Sequence, residues 1–292
     1  MMLLCIRPII IVTCVAAVMS VIGLAPSVAQ PGISATDSMP DRIKFEYVPP
    51  TNPQHHEVYK YVKEGAALEK VQQIFSPFRL PIDLTVKTLG CDGRSNAWYL
   101  RPVVSLCYEY LDDILKSAPK DLALGGLSPV DAILGQFYYV VSHEFGHAIF
   151  DVLGVPSFGS AEDAADQFST YMMLHLGKDD ASRLIAGAAY SYKNNLQSSA
   201  VILPLRAFTD MHGLPAQRYY NLLCIAYGAD AKAFARVVDE GLLPQERARD
   251  CGREYSGVAH AFSRLIAPHL DQELVKRVHQ RDWLPSKKSL AN

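Results

Sequence analysis

One five-residue pattern constrains this chain more than any other feature of its sequence. His143-Glu144-Phe145-Gly146-His147 lies in a mostly apolar stretch that is typical of a helix through the middle of a domain. Residues four apart share one face of a helix, so His143 and His147 can offer two imidazoles to one metal ion. Glu144 lies about 100° further round the helix, where it can hold a metal-bound water without ligating the metal. The pattern therefore predicts a zinc site with Glu144 as general base.

The alternative interpretation is an ordinary buried helix with two hydrogen-bonded histidines. A charged Glu144 is costly in an apolar helix unless it has a partner, and a metal-bound water would be one. Gly146 in mid-helix costs about 1 kcal/mol relative to alanine. Close approach of another backbone, or of the metal site, would explain that glycine. We expect the helix to begin near Pro129 and to end at Leu153, before Gly154.

A third metal ligand is predicted shortly after this helix. Ser160 is a plausible N-cap for a new helix, and Asp163 completes an imperfect capping box. Glu162 and Asp166 are four residues apart and share a face, so Glu162 is the expected ligand. Asp166 would then accept a hydrogen bond from a ligand histidine and fix its tautomer. Acidic residues also favour helix N-termini for electrostatic reasons, but that preference does not explain this spacing.

With these residues the chain resembles the gluzincin type of zincin metallopeptidase, in which His-Glu-x-x-His is followed by Glu-x-x-x-Asp. It is also similar to the bacterial family labelled Putative metallopeptidase, a domain of unknown function. The resemblance extends over most of the mature chain and implies a zincin-like fold with an active-site helix and a sheet edge strand. The segments that carry it are 143–147, 162–168, Cys107-Tyr108-Glu109 and 217–221 with Cys224.

A weaker resemblance to HtpX-like and CaaX-protease peptidases concerns the substrate cleft. Asn96-Ala97-Trp98-Tyr99 resembles the edge strand that lines the cleft in such enzymes. The resemblance implies that Asn96 and Ala97 bind substrate.

The same peptidases have a downstream His-Pro…Arg segment, which His212 and Arg218 resemble, although Gly213 replaces the proline. A tetrahedral intermediate needs a cationic or hydroxyl donor to stabilise its oxyanion. His212, Arg218 and Tyr219 are the candidates for that catalytic role.

The remaining pattern predicts strands first and helices later, which indicates an α+β domain with its helices packed to one side. Alternating apolar residues or turn signals predict strands at 42–48, 82–89, 96–100 and 103–108. Helical spacing predicts helices at 57–75, 111–117, 129–153, 168–176, 181–196, 217–227, 231–240 and 258–267. We expect a small sheet with an edge strand, followed by a mainly helical C-terminal half.

The N-terminal residues are typical of an exported protein. Residues 1–29 form a predicted signal peptide, with Arg7 at its start and a small-residue cleavage site at 27–29. The alternative is an uncleaved membrane anchor, but the apolar run at 9–24 is shorter than the roughly 20 residues that span a bilayer. Residues 30–41 are a predicted disordered lead-in, 42–285 the metallopeptidase domain and 286–292 a flexible tail. We therefore expect a periplasmic or secreted protein without stable membrane insertion.

Cysteine usage agrees with export. Cys91, Cys107, Cys224 and Cys251 remain after signal removal, and an even number in an exported chain favours disulfides. Three pairings are possible; Cys91–Cys107 and Cys224–Cys251 are favoured, and four buried thiols are the alternative. No Cys-x-x-Cys pair occurs, so a cysteine zinc site is not expected.

The expected function is hydrolysis of peptide or protein substrates with one Zn²⁺ ion. A net charge of −2 gives no electrostatic argument for nucleic-acid binding. Two other functions stay open, a non-catalytic binding domain stabilised by metal and a zinc hydrolase of a non-peptide amide. Glu144 argues against the first, because a structural metal needs no general base. The motif does not exclude the second, because activated water attacks any suitable carbonyl.

Overall fold

The structure is a computed structural model that describes residues 42–123, 126–193 and 205–286. The predicted signal peptide, its cleavage site and the lead-in at 30–41 lie outside the described residues. So do residues 287–292, which make up almost all of the predicted tail, and the last three residues of the helix predicted at 181–196. Within the described part of the chain, no helix is long and apolar enough to cross a membrane.

The described residues contain a small mixed sheet of four strands. Strand β1 (Ile43–Tyr47) pairs in parallel with β2 (Leu84–Leu89). Strand β3 (Ala97–Leu100) pairs antiparallel with β4 (Val103–Cys107), and β4 pairs in parallel with β2. The strand order β1-β2-β4-β3 leaves β3 at one edge of the sheet.

Helices make up the rest of the fold and dominate its C-terminal half. They are α1 (His56–Glu64), α2 (Ala67–Phe75), α3 (Tyr108–Ser117), α4 (Pro129–Leu153), α5 (Ala161–Leu174), α6 (Lys178–Lys193), α7 (Pro215–Ala229), α8 (Ala235–Asp239), α9 (Gln245–Leu265) and α10 (Gln272–Gln280). Short 3₁₀ turns lie at Pro53–His55, Leu205–Phe208 and Ala267–His269. The prediction of an α+β fold with a small sheet and a helical C-terminal half is confirmed.

Several predicted helix boundaries are wrong. The helix predicted at 57–75 is two helices, because the chain breaks at Gly65 and enters the left-handed region at Ala66, where φ is 49°. Helix α3 begins at Tyr108, three residues before the prediction. Helix α9 begins thirteen residues before the predicted start, and α10 was not predicted. Both of these late helices are polar overall and bury few residues, so they offer few apolar positions from which a helix could be predicted.

Helix α4 has the predicted bounds and is buried along most of its length. The Ser128 hydroxyl accepts a hydrogen bond from the Asp131 amide at 3.1 Å, and Pro129 occupies the first turn. At the other end, Gly154 adopts φ 63° and closes the helix.

Two glycines let neighbouring helices approach the α4 backbone. A Cβ atom at Gly187 on α6 would lie only 2.0 Å from the Asp131 carbonyl oxygen. A Cβ atom at Gly146 would lie 3.2 Å from Cα of Ala165 on α5. The close approach of α5 therefore explains the glycine in the middle of the motif. It also places the acidic residues of α5 against the histidines of α4.

Both favoured disulfides are present. The Cys91–Cys107 disulfide joins the loop before β3 to the end of β4, and the Cys224–Cys251 disulfide joins α7 to α9. The Glu109 carboxylate supports the first disulfide by accepting hydrogen bonds from the Cys91 amide at 3.0 Å and the Gly93 amide at 2.9 Å. The Cys107-Tyr108-Glu109 motif thus fixes the turn that leads into the edge strand.

Candidate functional site

The predicted metal ligands converge on one point between α4 and α5. Nε2 of His143 lies 3.0 Å from Oε2 of Glu162, and Nε2 of His147 lies 3.3 Å from the same oxygen. The two Nε2 atoms are 3.2 Å apart. His143 is almost completely buried, and the side chains of Glu162 and His147 are 13% and 21% exposed. Three donor atoms from two helices therefore face each other in a largely enclosed space.

Asp166 holds His143 from behind, as the spacing predicts. Its Oδ1 lies 2.7 Å from Nδ1 of His143, which leaves Nε2 directed at Glu162. Burial alone would lower the pKa of His143, but hydrogen bonds to Asp166 and Glu162 raise it to about 9. The hydrogen bond with His143 in turn lowers the pKa of Glu162 to about 2.

Arg218 completes this support from α7. Its Nε and Nη2 atoms each donate to the Asp166 carboxylate at 2.7 Å, a bidentate pair. Burial would raise the pKa of Asp166, yet the hydrogen bonds with His143 and Arg218 hold it well below its usual range. Arg218 lines the cleft, but its fork is committed to Asp166, so it acts through Asp166 on His143.

Glu144 is 7% exposed and lies beside the histidines on the cleft side of α4. Burial raises the pKa of its carboxyl group, whereas nearby His143 and a hydrogen bond from the Tyr99 backbone lower it. Burial has the larger effect, so the pKa is raised overall. A carboxyl group shifted toward neutral pH is better matched to proton transfer than an ordinary glutamate.

His212 reaches the same centre from a loop. It precedes α7, and its Nε2 lies 2.9 Å from Oε2 of Glu162. On the other side of the ring, Nδ1 lies 3.1 Å from Oδ1 of Asp210, whose carboxylate also accepts the His212 amide at 2.9 Å. His143, Glu162 and His212 each present a donor atom within 4.8 Å of the others. The Asp-x-His spacing is a sequence signal for the contact between Asp210 and His212, but not for the approach of His212 to Glu162.

The centre opens into a cleft of about 810 Å³ that is bordered by the edge strand β3. Asn96 and Ala97 line this cleft, as predicted. The Cys107 amide donates to the Asn96 carbonyl. Because hydrogen-bonded and non-hydrogen-bonded residues alternate along an antiparallel strand, the main-chain N–H and C=O groups of Ala97 and Tyr99 face away from β4. The Tyr99 amide accordingly donates to Glu144, and the Ala97 groups lie at the open edge.

An ion pair that was not predicted fixes the far end of the cleft. Arg101 donates through Nε to Asp151 on α4 at 2.7 Å, and the Tyr99 hydroxyl donates to the same carboxylate oxygen at 2.7 Å. These contacts join the end of the edge strand to α4 one turn after His147.

Tyr219, the third candidate for oxyanion stabilisation, is not among the described residues that line the cleft. It is 6% exposed, and its ring packs edge-on against Tyr220 with the ring centroids 5.3 Å apart. Of the three candidates, only His212 brings a donor nitrogen to the centre.

Comparison with known families agrees with this geometry. The model of the family described as Putative metallopeptidase matches residues 47–266, which include every side chain of the centre. The chain belongs to this family. No curated protein and no solved structure matches the chain. Membership indicates a peptidase that uses a metal, and the two disulfides indicate an oxidising compartment.

Proposed function

We propose that this chain is an exported, zinc-dependent metallopeptidase that hydrolyses peptide bonds with Glu144 as general base. The observation that carries the proposal is the convergence of His143, His147 and Glu162 within 3.0–3.3 Å of each other beside a buried Glu144. Two imidazoles and one carboxylate are one of the ligand sets found in catalytic zinc sites. Such sites keep a fourth position open for water or substrate.

The donor spacing fits one small ion. Zinc bonds of about 2.0–2.2 Å in a tetrahedron place neighbouring ligand atoms roughly 3.3–3.6 Å apart, close to the observed separations of 3.0–3.3 Å. The carboxylate of Asp166 on Nδ1 of His143 leaves the lone pair of Nε2 available for the metal. A bound zinc ion would lower the pKa of a water molecule and polarise the carbonyl under attack.

The side chains of the chain then have separate tasks. The Glu144 carboxylate takes the proton of the attacking water and passes it to the nitrogen of the departing amine. Nε2 of His212 donates a hydrogen bond to the oxygen that becomes negative, while Asp210 holds the other ring nitrogen. Asp166 and Arg218 keep His143 in position.

The substrate is expected to bind as an extended segment along β3. The main-chain groups of Ala97 and the Tyr99 carbonyl, which face away from β4, can pair with a peptide backbone, which is how sheet edges capture extended peptides. An edge strand favours a peptide substrate over a non-peptide amide, because only a peptide has the repeating main-chain groups with which such an edge pairs.

Export is supported by the two disulfides together with the signal-like N-terminal sequence. N-terminal sequencing of the mature protein should find a start at or near Gln30 in the periplasmic or secreted fraction. An intact N-terminus in the membrane fraction would contradict export but not catalysis.

The activity is tested on the purified mature chain with an unfolded protein substrate. We expect one equivalent of zinc, cleavage of the substrate, loss of cleavage with a chelator and recovery when zinc is restored. Bound metal without cleavage of any peptide would favour a metal-stabilised binding domain. Cleavage that persists after complete removal of metal would contradict the proposal.

A further inference from the structure

One part of the cleft has a chemistry that the hydrolytic machinery does not use. We call it the tyrosine recess; it is formed by Tyr110 on α3, Gln136 and Tyr139 on α4, Tyr192 on α6 and Arg218 on α7. All five side chains line the same cleft as His143 and Glu144. The recess lies on the N-terminal side of the histidines along α4, opposite the end that Asp151 closes.

Three tyrosines line the recess, and each carries a hydroxyl that can donate or accept a hydrogen bond. Burial raises the pKa of each of them, so they stay protonated and able to donate at neutral pH. Tyr139 is 5% exposed, and its hydroxyl makes no well-aligned hydrogen bond among the described residues, although Tyr192 interacts with it. A buried hydroxyl without a well-aligned hydrogen bond costs free energy that a bound acceptor would recover.

The electrostatics of the recess favour a neutral guest. Arg218 lies over the Tyr192 ring, with Cζ 5.5 Å from the centroid, but its charge is already balanced by the bidentate contact with Asp166. Glu144 acts on Tyr110 as a nearby negative charge. A carboxylate in the recess would therefore meet an anion without an unpaired cation among the residues that the structure describes, and a lysine or arginine would meet Arg218.

A carboxamide fits these constraints. Its oxygen accepts from the tyrosine hydroxyls, and its NH₂ group donates to a phenol oxygen or to the Gln136 side chain, which itself hydrogen-bonds with Tyr110. We propose that the tyrosine recess is a subsite that selects glutamine or asparagine next to the scissile bond. This inference rests on the proposed peptidase function.

The position of the recess determines which substrate residue it reads. Tyr139 precedes His143 by four residues, which is about 6 Å along the helix axis. An extended peptide advances about 3.3 Å per residue, so a long side chain on a residue adjacent to the cleaved bond reaches that far. More distant residues would pass beyond the recess.

The test uses peptides that differ only at the two positions flanking the scissile bond, which carry Gln, Glu or Leu. We expect kcat/KM to favour Gln over Leu by about 100-fold or more at one of the two positions, with Glu between them. A site built to hydrogen-bond a side chain rejects apolar analogues strongly, because its own buried polar groups are then left unpaired. A preference for Leu at both positions would overturn the proposal.

Two conservative variants locate the selectivity in the recess. Tyr139→Phe and Tyr192→Phe should each reduce the Gln/Leu ratio by about tenfold, the effect of one lost hydrogen bond. Tyr61→Phe, an exposed tyrosine on α1, is the matched control and should leave the ratio unchanged. An unaltered ratio in both recess variants would contradict the assignment.

A binding measurement separates this inference from the proposed function. Zinc-loaded Glu144→Gln protein is titrated with the Gln and Leu peptides, and tighter binding of the Gln peptide is expected. If the wild-type protein cleaves no peptide but this variant prefers the Gln peptide, the function fails and the subsite stands. If the wild type cleaves peptides and the variant binds both peptides equally well, the subsite is contradicted and the proposed function is not.

Discussion

The two sides of the site hold their imidazoles in different ways. On the helix side, His143 is 3% exposed and is fixed through Nδ1 by Asp166, which Arg218 fixes in turn. On the loop side, the His212 side chain is 42% exposed, and its partner Asp210 is exposed as well. Both rings direct Nε2 at the same oxygen of Glu162.

This difference is consistent with the proposed roles of a permanent metal ligand for His143 and of a donor that acts during the reaction for His212. A metal ligand must keep its position in the presence of solvent. Burial and the successive hydrogen bonds between His143 and Asp166 and between Asp166 and Arg218 hold the imidazole in place. A donor for a developing oxyanion has no full partner until the substrate is bound, so an exposed loop position is compatible with its task. The comparison predicts that changes on the helix side alter metal binding, whereas changes on the loop side alter turnover.

The largest effect is expected for Glu162→Ala, which removes a proposed metal ligand from the helix side. Loss of one of three protein ligands should abolish tight zinc binding. Asp163→Ala is the matched control, because Asp163 is the adjacent acidic residue and no contact connects its carboxylate to the histidines among the described residues. Zinc titration should find the site empty in the first variant and filled in the second; the reverse result would move the ligand by one residue.

His212→Ala tests the loop side. We expect kcat to fall by about 10²–10³-fold, the usual effect of removing one oxyanion donor, with zinc affinity unchanged. Zinc affinity and steady-state kinetics on the same preparation make the distinction. Loss of zinc together with activity would break the comparison, since His212 would then be a ligand.

Asp166→Asn weakens the helix side without removing a ligand. Replacing a carboxylate that orients a ligand histidine typically costs roughly 10–100-fold in metal affinity or activity. We expect weaker zinc binding and a lower melting temperature, because Arg218 also loses its charged partner. Zinc affinity equal to that of the wild type would show that His143 is held in position without Asp166.

The smallest effect is expected for Asp210→Asn. Asp210 is exposed, and exposed charge pairs contribute little, so kcat should fall by about fivefold or less. Zinc affinity should not change. A loss of turnover as large as that of His212→Ala would show that the loop histidine depends on Asp210 much as His143 depends on Asp166.

Local sequence signals were sufficient for the helix side. Ser128 with Pro129 at one end and Gly154 at the other mark the bounds of α4, and four-residue spacing places both histidines on one face. The same spacing paired Glu162 with Asp166. These predictions depend on residues within a few turns of one another, where helix geometry alone determines which side chains meet.

The loop side and the tyrosine recess required the tertiary fold. His212 lies fifty residues after Glu162, and no local periodicity relates the two. The recess gathers side chains from α3, α4, α6 and α7, whose approach depends on packing such as the contact of Gly187 with Asp131. The break at Ala66 was missed although Gly65 precedes it, because an alanine gives no sign in the sequence that it adopts a positive φ.

The most direct test of the central claim is the behaviour of Glu144→Gln. The amide keeps the size of the side chain but cannot accept the proton of the attacking water. The account predicts a full equivalent of zinc, an unchanged melting temperature and a loss of hydrolysis of about 10²–10⁴-fold, measured on one preparation. Near-normal turnover with zinc bound would contradict Glu144 as the general base and with it the proposed mechanism.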